Sequence, residues 1–128
     1  MRLLLDTHTV LWMVNEHEKL SSTAKAFLRS DEHTLFVSIA SLWEMAIKIS
    51  LGKLSEMDGG VGLLLSKIQD MPIELLPITT DHIEAIETLP FIHRDPFDRM
   101  LVATAMVSDM TILTSDENIP RYGVPCAR

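Results

Sequence analysis

Leu3-Leu4-Leu5-Asp6 puts three consecutive leucines directly before a carboxylate. Three apolar residues are too few for a helix and show no polar alternation. They predict a short strand buried on both faces, with Asp6 at its C-terminal end. The same pattern recurs along the chain: Leu35–Val37, Ile73–Ile78 and Thr111–Leu113 predict further strands, and Val124–Cys126 a short edge strand. The segments between them have helical period. Val10–Val14 supplies a turn or two, Ser21–Leu28 starts at a Ser21 or Ser22 cap, and Ser38 to Leu51 is stopped by Gly52. Val61–Ile68 and Thr80–Leu89, the latter capped by Thr79 or Thr80, follow; Asp95 and Pro96 then open an apolar helix to about Val107. Strands alternating with helices predict an α/β fold, a three-layer α/β/α sandwich around a short central parallel sheet. Sites in such sheets lie beyond the C-terminal strand ends, where Asp6 and Asp116 stand.

The chain has 128 residues, which fits one domain spanning 1–128. Apolar residues make up 47% and charged residues 23%, a globular balance that excludes disorder. The lone Cys126 excludes a disulfide scaffold and any multi-cysteine metal centre. A net charge of −7 argues against generic electrostatic binding of nucleic acid, while it permits a carboxylate cluster that holds metal and suits a basic partner. No apolar stretch approaches the ~18 residues of a membrane span. Asp6 interrupts the leading apolar run before it resembles a secretory signal, so a cytoplasmic protein is expected.

Four acids, Asp6, Glu44, Asp98 and Asp116, occupy positions that packing does not demand. Two follow strands and two sit on helices, so one crevice can receive all four. Clustered carboxylates repel unless a divalent cation occupies them, and Mg²⁺ or Mn²⁺ suits such oxygen donors. Each acid also has a local explanation. Asp95 and Asp98 fit a helix start, Ser41 to Glu44 fits a capping box, Glu44 with Lys48 fits an i,i+4 ion pair, and Asp116 fits a turn.

Taken together, four segments resemble a PIN domain. They are Leu3-Leu4-Leu5-Asp6-Thr7-His8; Ser38 to Lys48 with Gly52-Lys53-Leu54; His93-Arg94-Asp95-Pro96-Phe97-Asp98-Arg99-Met100-Leu101; and Ile112-Leu113-Thr114-Ser115-Asp116. The resemblance runs through essentially the whole chain and is nearest to the VapC type of toxin ribonuclease. It implies a metal-dependent endoribonuclease in which Asp6, Glu44, Asp98 and Asp116 hold Mg²⁺ or Mn²⁺ and a metal-activated water cleaves RNA. It also implies a cognate antitoxin protein and a homodimer. Thr7, Asp95 and Thr114 would orient the carboxylates or water, and Lys48, Arg94 and Arg99 would offset phosphate charge.

His8 and His93 are read as structural, because the chemistry needs no histidine and no HxxxH spacing is present. Trp12, Trp43, Met45, Met100 and Met106 are read as core or subunit contacts, since aromatics form only 5% of the chain. One alternative is a PIN-like scaffold that binds RNA or protein without cutting. Another is a phosphatase of the haloacid dehalogenase type, disfavoured because His8 stands where its general-acid aspartate belongs.

Overall fold

The computed structural model describes residues 1–15, 18–54 and 59–128. Its strands are β1 (Arg2–Leu5), β2 (Thr34–Ser38), β3 (Ile73–Leu76), β4 (Thr111–Leu113) and β5 (Cys126–Ala127), all parallel, in the order β3-β2-β1-β4-β5. Its helices are α1 (Thr7–Val14), α2 (Ser22–Arg29), α3 (Ile39–Ser50), α4 (Gly60–Gln69), α5 (Thr80–Glu87) and α6 (Pro96–Ser108). The expected sandwich is therefore present.

Consecutive leucines work as a strand because each face of the sheet has its own core. Leu5 pairs in register with Val37 and Leu113, and these join the cluster built with Val10, Leu42, Met45 and Leu64 from α1, α3 and α4. Leu4 pairs with Phe36 and Ile112 and joins the opposite cluster with Leu101, Val102 and Ala105 of α6. Leu3, Leu4 and Leu5 are fully buried.

Side chains fix where the helices begin. Ser21, Ser38, Thr79 and Asp95 cap α2, α3, α5 and α6, and His82 completes a reciprocal cap with Thr79. The capping-box expectation at Ser41 and Glu44 is corrected: Ser38 caps α3, so Glu44 lies in its interior. α1 starts at Thr7, ahead of the expected Val10, because Asp6 caps it by accepting from the Thr9 N–H. β5 lies two residues beyond the expected start, and a 3₁₀ turn at Ile119–Tyr122, anchored by buried Ile119, was not anticipated.

α3 also reverses the simple expectation for an amphipathic helix. Its polar residues Ser41 and Glu44 are buried, while Trp43 is 59% exposed and meets Phe97 edge-on. Trp43 and Met106 are thus outside the core, whereas Met45 is fully inside it.

The topology determines where a crevice opens. From β1 the chain moves outward to β2 and β3, then crosses back to β4 on the other side of β1. Connections leave β1 in opposite directions from its neighbours, so the C-terminal ends of β1 and β4 flank the switch point. Asp6 follows the first strand directly, and Asp116 follows the second by three residues.

Candidate metal centre

Asp6 is 4% exposed, a costly position for a carboxylate unless its oxygens are satisfied. Oδ1 accepts the Thr9 N–H at 2.8 Å, and Oδ2 accepts the Thr114 hydroxyl at 2.5 Å. The same Thr114 oxygen accepts the Asp116 N–H at 3.0 Å, and Asp116 Oδ1 accepts the Asn118 N–H at 2.8 Å. One hydroxyl therefore ties the first acid to the backbone of the last. The end of β4 is pinned again by the Thr9 hydroxyl and the Asp6 N–H, which both donate to the Leu113 carbonyl.

Glu44 reaches the same end of the sheet from α3. Thr7 Oγ1 lies 2.7 Å from Glu44 Oε1 and 3.1 Å from Ser41 Oγ, while Lys48 Nζ lies 2.8 Å from Glu44 Oε2. The i,i+4 pair foreseen for Lys48 exists, and its buried carboxylate partner makes it part of the site's rim.

Asp95 caps α6, its Oδ1 accepting from the N–H groups of Phe97 and Asp98. This turn presents Asp98 to the cluster. Burial, then the charges of Asp95, Glu44, Asp116 and Asp6, push the Asp98 carboxyl up from 3.8 to about 7. Glu44, Asp116 and Asp6 thus all bear on Asp98 at one end of the sheet. Among the described residues, His93, Asp98 and Asp116 form a group whose ligand atoms lie within 4.8 Å of one another. The sequence analysis reads His93 as structural because the chemistry needs no histidine; its closeness to Asp98, five residues on, follows no helical spacing.

The basic residues divide. Arg94 is exposed and Lys48 borders Glu44. Arg99 requires a correction: it is 5% exposed, donates to the Pro90 carbonyl at 2.9 Å and the Leu89 carbonyl at 3.4 Å, and stacks over Phe91. A guanidinium committed to backbone carbonyls and an aromatic face is not free to meet phosphate. A cavity of about 440 Å³ opens beside Asp116, bordered also by Thr114, Glu117, Cys126 and Arg128; the other three acids do not line it.

The donor set fits a hard divalent cation. Its acids supply carboxylate oxygens, including the Asp98 carboxyl, whose ionisation is suppressed first by burial and then by its acidic neighbours and whose charge a cation would restore.

An open parallel α/β sheet with acids gathered at its switch point defines the class. The PIN domain family matches residues 3–125, and the chain belongs to that family. This displaces the phosphatase alternative. Among solved structures, the fold resembles VapBC2 from Rickettsia felis bound to a promoter DNA fragment, with TM-score 0.74 and 14% identity over 99% of this chain and 98% of that one. It resembles DNA-bound VapBC from Salmonella typhimurium at TM-score 0.72 and 15% identity, covering 99% and 97% of the two chains. The PIN domain endonuclease Utp24 is similar at TM-score 0.56 and 16% identity, covering 98% and 82%. Among curated proteins, none matches this chain in sequence. Among the described residues, no helix is long and apolar enough to cross a membrane.

Proposed function

We propose that this protein is a divalent-metal-dependent endoribonuclease and the toxin of a toxin–antitoxin pair. The observation that carries the reading is the convergence of Asp6, Glu44, Asp98 and Asp116, expressed in the raised Asp98 carboxyl. The likeness in fold to VapBC complexes and to a PIN endonuclease supports the two halves of the proposal.

In this reading the four acids hold Mg²⁺ or Mn²⁺, which when bound acidifies water and stabilises a departing oxygen. Thr114 and the Thr9 N–H fix the two oxygens of Asp6, and Thr7 orients Glu44. Asp95 holds the first turn of α6, on which Asp98 rides. Lys48 and Arg94 offset the charge of an RNA backbone entering beside Asp116. A cognate antitoxin would quiet the enzyme by placing a basic side chain among the acids. A homodimer and a cytoplasmic setting complete the proposal.

Incubating the protein with RNA, with Mn²⁺ or Mg²⁺ and then with excess EDTA, tests the chemistry. Internal cleavage that EDTA abolishes is the expected result. Cleavage that persists undiminished in EDTA overturns the metal mechanism, and stable binding without cleavage favours the non-cutting scaffold.

A further inference from the structure

His93 Nε2 is a buried nitrogen without a hydrogen-bond partner among the described residues, 3.4 Å from Asp98 Oδ2. The other face of its ring is fully engaged. Nδ1 lies 2.8 Å from the Tyr122 hydroxyl, which also receives the His93 backbone N–H and Arg99 Nη1, each at 3.3 Å. Arg99 is itself anchored on the Leu89 and Pro90 carbonyls.

Counting donors decides the tautomer. A phenol oxygen offers two lone pairs and one proton. The backbone N–H and the guanidinium occupy both lone pairs, leaving none for a proton on Nδ1. The phenol proton has two candidate acceptors, Nδ1 at 2.8 Å and the His93 carbonyl at 3.4 Å, and the nearer is the stronger. Nδ1 therefore accepts, and the proton of the neutral imidazole sits on Nε2, turned toward Asp98.

We propose that His93 is a positioning residue for Asp98. The chain Arg99, Tyr122, His93 holds Nε2–H against Asp98 Oδ2, so one carboxylate oxygen is steered by a fixed donor and the other is left for the cation. The role of Arg99 follows: it acts as the far end of this chain instead of touching phosphate.

The inference rests on the metal reading above, and its test separates the two. Nitrogen NMR of the metal-free protein above neutral pH should show the His93 ring protonated at Nε2, with Tyr122→Phe relaxing that preference. A ring protonated at Nδ1 overturns the proposal. Calorimetric titration with Mn²⁺ should show His93→Ala weakened by ~10- to 100-fold, the range for losing a group that orients a ligand. His93→Gln, which keeps an N–H donor, should recover part of that loss. Adding His93→Ala to Asp98→Asn should cost little more than Asp98→Asn alone, because the imidazole acts through that carboxylate. Equal Mn²⁺ affinity in wild type and His93→Ala overturns the positioning role alone. Full additivity with Asp98→Asn and no rescue by glutamine makes His93 a direct ligand and overturns it too. Wild-type protein that binds no Mn²⁺ overturns the metal reading and this inference together.

Discussion

Asp6 and Asp95 do the same local job in opposite surroundings. Each is the N-cap of a helix and satisfies free N–H groups of its first turn. Asp95 is exposed, whereas Asp6 is 4% exposed and receives a second donor from Thr114, a residue on the neighbouring strand's end. Capping therefore explains Asp95 fully and Asp6 only in part. The surplus at Asp6 is burial among acids, which capping does not require.

The sharpest way to break this comparison is to neutralise both aspartates without changing their shape. Asparagine caps as well as aspartate. Asp6→Asn should fold and lose ~100-fold or more of the proposed RNA-cleaving activity, at least what losing a ligand's supporting partner costs. Asp95→Asn should stay within a few-fold of wild type. Equal losses in a cleavage assay per folded molecule would erase the distinction.

The metal-free protein offers a second test through pH. Asp98 has its carboxyl raised to about 7 by burial and by Asp95, Glu44, Asp116 and Asp6, with His93 also facing it. Below pH 3.8 both folded and unfolded states hold the proton, so this group favours neither. Between 3.8 and about 7 the folded state retains a proton that the unfolded chain releases, so stability falls as pH rises through that window. Denaturant titrations in EDTA should show this decline, and Asp98→Asn should flatten it. Asp95→Asn should shift it downward, because one of the charges that raise Asp98 is gone while the cap stays.

Metal should reverse the penalty. A cation that binds only the folded state adds about 2.7 kcal/mol at a hundredfold excess over its Kd. Thermal melts should rise with Mn²⁺, and Asp116→Asn should raise the metal-free Tm while shrinking the metal increment. An unchanged increment removes Asp116 from the ligand set. The smallest effect belongs to the plain cap: Asp95→Ala should cost about 1 kcal/mol of stability and leave the metal increment intact.

The sheet was legible because β1, β2 and β4 carry continuous apolar runs closed by a polar residue, the pattern of strands covered on both faces. The acids at strand ends, Asp6 and Asp116, followed from that alone. Glu44 was harder, since its spacing to Lys48 describes an ordinary surface pair and only the fold buries it. The surroundings of Arg99 and His93 were not legible, for one shared reason. Their roles depend on Tyr122, in an unanticipated 3₁₀ turn 29 residues from His93 and 23 from Arg99. No local period encodes such a contact.

The Thr114 hydroxyl that ties Asp6 to Asp116 lies 108 residues along the chain from Asp6. Closing so long a loop is entropically unfavourable until many nearer contacts are in place. During synthesis, β1 and β2 can associate while β4 is still inside the ribosome. The acid cluster is incomplete until that strand emerges and docks beside β1. A nascent chain that has emerged only through β2 therefore carries Asp6 without the Thr114 hydroxyl and the Asp116 carboxylate that join it in the folded protein.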